Sequence, residues 1–261
     1  MTLAGRRILV TRPRELAQGL AALIREAGGE ALLYPVLEIR DVADPAPARA
    51  LLARLREFDL AVFVSPSAVR KAMELAEGQA QPVGQVRPAA QAQPPDQMWP
   101  AGLRVAAVGG GTRRALEERG FREVIAPAGQ EDSEALLALP ALAGFRRVAI
   151  FRGEGGREVL GDALAARGAR VEYAACYRRV RPAAAAAPAG RIDAICVSSG
   201  EALRNLVALL GSERVAHSPL FVPNARVASI ARELGLREPV LAGPGDEHML
   251  AVLVAYFGDA K

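Results

Sequence analysis

Histidine and cysteine are nearly missing from this sequence: there are two of each in 261 residues, beside a single tryptophan. His217 and His248 lie far apart and have no cysteine or carboxylate at ligand spacing, so no metal site is expected. Cys176 and Cys196 sit in apolar runs and read as buried free thiols rather than a disulfide or redox pair. No apolar run approaches the roughly 20 residues needed to span a bilayer. The N-terminal stretch MTLAGRRILVTRP has neither the long apolar region nor the small-residue cleavage site of a secretory signal. A cytoplasmic protein without membrane contact is the expectation. Nucleotide and hydrolase signatures are missing too. Gly109-Gly110-Gly111 and Gly153-Glu154-Gly155-Gly156 complete neither G-x-x-x-x-G-K-[ST] nor G-x-G-x-x-G, and no nucleophile elbow or H-E-x-x-H occurs. No cofactor is expected.

What is present is an ordinary globular composition, 51% hydrophobic and 24% charged, with a net charge of +4. Arginine supplies most of the positive charge and is spread along the chain. Nucleic-acid binding calls for a dense basic patch with interleaved aromatics, and neither occurs, so no nucleic-acid partner is expected. A polyanionic small molecule suits scattered arginines better.

The chain repeats itself. Arg6–Arg40 resembles Arg146–Arg181, Asp59–Leu75 resembles Asp193–Leu209, and Ala115–Leu137 resembles Ile230–Val252. Three blocks recurring once in the same order, over more than 100 residues, mean two similar domains rather than a solenoid. Each block reads as strand, turn, helix. Ile8–Thr11, Ala31–Tyr34, Leu60–Val64 and Val105–Val108 are short apolar strands. Leu16, Leu20, Leu23, Ile24 and Ala27 recur at helical spacing until Gly28-Gly29 ends the helix. Ser65 or Ser67 can cap the next helix, and Gly109 to Thr112 opens another. Apolar strands alternating with helices predict an α/β fold of two flavodoxin-like, doubly wound parallel sheets. Gly78–Pro100, rich in Gln and Pro and without a counterpart in the second half, reads as a mobile, dispensable surface loop ending at Trp99. Pro182 and Pro188, enclosing five alanines, read as a connector.

The order of motifs resembles the uroporphyrinogen-III synthase family. Val10–Pro13 with its following helix and Gly28–Ile39 resembles the family opening, and Phe63–Met73 its strand, hydroxyl turn and helix start. Pro66-Ser67 stand here where a variable residue and Asn are common. Ala106–Phe121, Phe151–Arg179, Ile195–Leu206 and Phe221–Gly235 follow in the family's order, and Phe151–Arg179 is the most specific match. The likeness covers nearly the whole chain outside the Gln/Pro loop.

The resemblance implies an exchange between the repeats. Residues 1–38 and 180–261 would form one domain and 39–179 the other, joined by a two-stranded hinge near Val36–Arg40 and Cys176–Arg181 about which the domains move. It also implies an activity: closure of hydroxymethylbilane to uroporphyrinogen III, with loss of water and inversion of the terminal ring. Tyr177 matches the family's cleft-facing tyrosine and is the candidate catalytic residue; Cys176 replaces its usual apolar neighbour. The candidate substrate-binding residues lie in the strand-to-helix turns: Thr11, Arg12, Pro13, Ser65, Ser67, Gly109, Thr112, Arg152, Gly153, Ser198, Ser199, Gly200 and Asn224. Open parallel sheets bind ligands beyond the carboxyl ends of their strands, where helix N-termini offer free N–H groups to a substrate carrying carboxylates. A monomer is implied, with transient contact to the enzyme supplying hydroxymethylbilane. The alternative reading, from a different class, is a non-catalytic two-domain binding or sensor protein that closes about a hinge. Fold cannot separate the two.

Overall fold

A computed structural model describes residues 2–79, 99–128, 132–156, 158–183 and 186–258. Most of the Gln/Pro segment, 80–98, lies outside the described residues, as do Ala184 and Ala185 of the connector. The chain divides into two compact units. One comprises Met1–Glu38 with Val180–Lys261, the other Ile39–Arg179.

In chain order the strands are β1 (Arg7–Val10), β2 (Glu30–Leu33), β3 (Glu38–Arg40), β4 (Leu60–Phe63), β5 (Arg104–Ala107), β6 (Val124–Ile125), β7 (Arg147–Gly153), β8 (Arg170–Val180), β9 (Ala194–Cys196), β10 (Leu220–Val222) and β11 (Val240–Leu241). The first unit has the sheet order β2-β1-β9-β10-β11, and its strand pairs run parallel. This is the flavodoxin-like order, 2-1-3-4-5. The second unit reads β8-β7-β4-β5-β6, again parallel, with β3 added beside β8. It is the same order with the chain permuted: the opening strand-helix-strand block of the fold, β7 to β8, comes last instead of first.

Both faces of each sheet are covered, which explains why the strands read as continuous apolar runs. In β1, Ile8 and Val10 point to one face, where they meet Ala17, Leu20 and Ile24 of the helix Arg14–Glu26. Leu9 points to the other, among Leu203, Leu206, Val227 and Ala231 of the helices Gly200–Leu210 and Ala225–Glu233. In the second unit Ala61 and Phe63 pack under the helices Ala46–Ala53 and Pro66–Gln79, while Leu60 and Val62 pack toward the helices Ser133–Leu137 and Val159–Ala166. Each fully buried Leu, Ile or Phe contributes about 1.5–3 kcal/mol. The first helix shows how local rules set its ends. Pro13 occupies the N-cap, and Gly28, at φ +84°, closes the last turn while Gly29 N–H bonds to the Ile24 carbonyl.

The carboxyl ends of the strands form one edge in each unit, and the strand order reverses there between β1 and β9 and between β7 and β4. At that edge the expected strands ran one residue too far: Thr11, Tyr34, Val64 and Val108 each follow the last strand residue. There the strands give way to the turns that carry the candidate residues.

Candidate functional site

In the second unit, Tyr177 projects from β8 across the end of β7 to the end of β4. Its hydroxyl lies 3.0 Å from Ser65 Oγ. Two local features permit this. A register shift between Arg152 and Gly153 sets Gly153 opposite Tyr177, a bulge that re-aims the side chain. Gly153 also leaves room for the ring: a Cβ there would lie 2.7 Å from Tyr177 Cε2. Ser65 caps the helix Pro66–Gln79, with Oγ accepting the Ala68 N–H at 3.1 Å. The phenol and the cap are therefore coupled. Tyr177 is buried, 3% exposed, and its ring joins the core of Phe63, Phe151 and Trp99. Phe63 stacks on Phe151 at 4.8 Å.

The other candidates of this unit lie on neighbouring turns. Ser67 and Thr112 are buried within the first turns of their helices. Gly109 is the extended N-cap of the helix Gly110–Glu117. Arg152 folds onto its own turn: Nη2 donates to the Gly156 carbonyl at 2.5 Å, Nε to the Gly153 carbonyl at 3.4 Å, and the guanidinium stacks 4.6 Å over Tyr173. Burial and the Glu158 carboxylate raise the Tyr173 phenol above its usual range.

In the first unit, Thr11 is fully buried and its hydroxyl donates to the Cys196 carbonyl at 2.8 Å. Its position ties β1 to β9 where the strand order reverses. Ser199 and Asn224 each cap a helix, accepting the N–H of Ala202 and Val227, both at 3.1 Å. Ser198 is half-buried, and Gly200 is buried so tightly that a Cβ would strike Ile230. Pro13 is the buried N-cap of the first helix. Arg12 pairs through Nη1 with Asp246 Oδ1, in the first turn of the helix Asp246–Gly258. Burial pushes the Cys196 thiol beside this pair up to about 12, and does the same to Cys176. Both thiols are free.

Asp246 and Tyr173 are the residues the sequence reading missed. Gly243-Pro244-Gly245 marks a turn after a strand too short to show periodicity, and an acid after such a turn is a helix-start signal. Among the described residues, no group of three or more His, Cys, Asp or Glu is arranged to hold a metal ion.

Residues 18–251 match the family model described as Uroporphyrinogen-III synthase HemD. The chain is similar to the uroporphyrinogen-III synthase of Escherichia coli, 32% identical over 93% of this chain and 97% of that one. It is 33% identical, over the same shares, to that of Salmonella typhimurium. Among solved structures its fold is similar to uroporphyrinogen III synthase from Thermus thermophilus, with a TM-score of 0.61 at 20% identity over 98% of this chain and 100% of the other. It is also similar to that of Helicobacter pylori, with a TM-score of 0.62 at 15% identity over 96% and 99%. Motif order, strand order and these likenesses converge: the chain belongs to the uroporphyrinogen-III synthase family.

Proposed function

We propose that this chain is the hydro-lyase that closes hydroxymethylbilane into uroporphyrinogen III. The observation that carries the reading, within a chain of this family, is the Tyr177–Ser65 hydroxyl pair laid over Gly153 at the edge where the strand order reverses. The reaction begins with departure of a hydroxyl from the bilane. The terminal ring then attacks through a spiro intermediate, and the product carries that ring inverted. A phenol can donate a proton to the departing hydroxyl. Ser65 favours that role. Its Oγ already accepts the Ala68 N–H, so its own proton can go to the Tyr177 oxygen, leaving the phenolic proton for the substrate.

In water the bilane closes without inversion and gives the type I isomer. The larger task is therefore to hold a conformation that leads to inversion, which is positioning rather than bond-breaking power. The capped helix starts fit that task, because backbone N–H groups and positive helix ends suit a substrate with eight carboxylates. A monomer acting in the cytoplasm on a small tetrapyrrole, without cofactor, completes the proposal. No helix among the described residues is long and apolar enough to cross a membrane. The test is freshly generated hydroxymethylbilane with isomer analysis of the product. An excess of type III over the uncatalysed mixture is expected; type I alone would return the chain to the reading of a binding protein.

A further inference from the structure

Two arginines stand in the candidate turns, and the fold treats them differently. Arg152 has its Nη2 and Nε turned onto backbone carbonyls and its face on Tyr173. Arg12, with 19% of its side chain exposed, has one partner atom, Asp246 Oδ1, on Nη1. A guanidinium has five donors in a planar fork, so the rest of its donor set is uncommitted among the described residues. The pair joins the turn after β1 to the turn after β11, strands separated in the sheet by β9 and β10. It lies at the carboxyl edge, where ligands of such sheets bind.

Asp246 is itself held in place. Gly19 sits inside the helix Arg14–Glu26, where glycine costs helix stability relative to alanine. A Cβ at Gly19 would lie 2.6 Å from Asp246 Oδ2. The missing side chain is thus the notch into which the carboxylate fits. Three residues distant in sequence build one corner: Gly19 admits Asp246, and Asp246 orients Arg12.

We infer that Arg12 is the substrate-carboxylate contact of the first unit and that Asp246, seated against Gly19, is its positioning residue. The inference rests on the proposed bilane reaction and names which side chain recognises one of the substrate's carboxylates. Pre-orienting a long side chain removes the entropy otherwise lost on binding. The cost is a negative charge beside the incoming carboxylate.

The test is steady-state kinetics of type III formation, with thermal melts on each variant. Arg12→Ala raises KM about tenfold or more, the scale of a lost hydrogen bond to a charged group. Arg12→Lys recovers only part, because a point charge cannot reproduce the fork. Asp246→Ala raises KM several-fold. Asp246→Asn, which still accepts the Nη1 bond without competing charge, returns KM to the wild-type value or below. Gly19→Ala matches Asp246→Ala in KM while its gain in helix propensity limits any loss of melting temperature. A merely structural clasp gives the opposite pattern, with melting temperatures that fall and KM values that stay at wild type, and that result overturns the inference. Wild-type protein that forms no type III product overturns the functional reading instead.

Discussion

The two units share a strand order and differ in what they place at its carboxyl edge. In the first unit the polar groups there mostly serve the backbone. Thr11 holds a strand carbonyl, and Ser199 and Asn224 cap helices. In the second unit a phenol lies over the reversal point against a capping hydroxyl, backed by a cluster of aromatic rings. The strand order occurs twice, but the phenol–hydroxyl pair and its aromatic backing occur only in the second unit among the described residues. A repeat preserves the periodicity that buries both sheet faces, while the turns beyond the strands carry little of that burden and can diverge.

The sharpest way to break this comparison is to remove the aromatic backing. Phe151→Ala leaves a cavity between Phe63 and Trp99, with a cost of about 3–5 kcal/mol. Denaturant melts should show that loss. A cost below about 1 kcal/mol would mean the aromatic cluster does not distinguish the second unit. Next in size is Tyr177→Phe, expected to slow type III formation about 100-fold, the low end for general-acid assistance, in a protein that still folds. Ser65→Ala removes both a cap and the phenol's partner but leaves the phenol itself, so it should lose activity in the same direction but less. Near wild-type turnover in folded Tyr177→Phe would leave catalysis to substrate conformation alone.

A third test treats the units as equals. Each carries one buried thiol raised to about 12, Cys176 in the second and Cys196 in the first. A thiol whose folded value lies above its unfolded value stabilises fully below the unfolded value. That stability is lost as pH rises toward the folded one. Stability should therefore fall from about pH 9 upward, by up to about 1.4 kcal/mol per pH unit per thiol. Cys176→Ala and Cys196→Ala should each make the fall in alkaline melts shallower by up to about 1.4 kcal/mol per pH unit, and a slope unchanged by either would place its origin elsewhere. The smallest effects belong to the caps. Ser199→Ala and Asn224→Ala should each cost about 1 kcal/mol. Their effect on turnover should be smaller than that of Tyr177→Phe, which initial rates can check.

The sheets were legible in the sequence because their signal is local. Ile8, Leu9 and Val10 are apolar on both faces and bounded by turn residues, and the same holds for Leu60–Phe63. Capping is local too: the place before a helical run offers Ser65 or Ser67 as the cap, and the fold uses Ser65. The rest depends on partners far along the chain. Nothing near Gly19 announces Asp246, and nothing near Gly161 announces Tyr173, whose hydroxyl occupies the space a Cβ would need. The commitment of Arg152 to its own turn and the burial of Thr11 follow from packing, which no periodicity encodes. The short β6 and β11 lack the length to show a period at all.

The discontinuity of the first unit has a consequence for how the protein is born. β1, central in its sheet, pairs on one side with β2 and on the other with β9. All of Ile39–Arg179 is synthesised between the two halves of that unit. At about 5–20 residues per second the interval is on the order of ten seconds. By its end the second unit has its entire sequence made, while Leu9, Leu20 and Ile24 of the β1–helix–β2 segment still lack their final cover. The order of translation thus favours completing the permuted unit first and leaves the N-terminal segment waiting for β9.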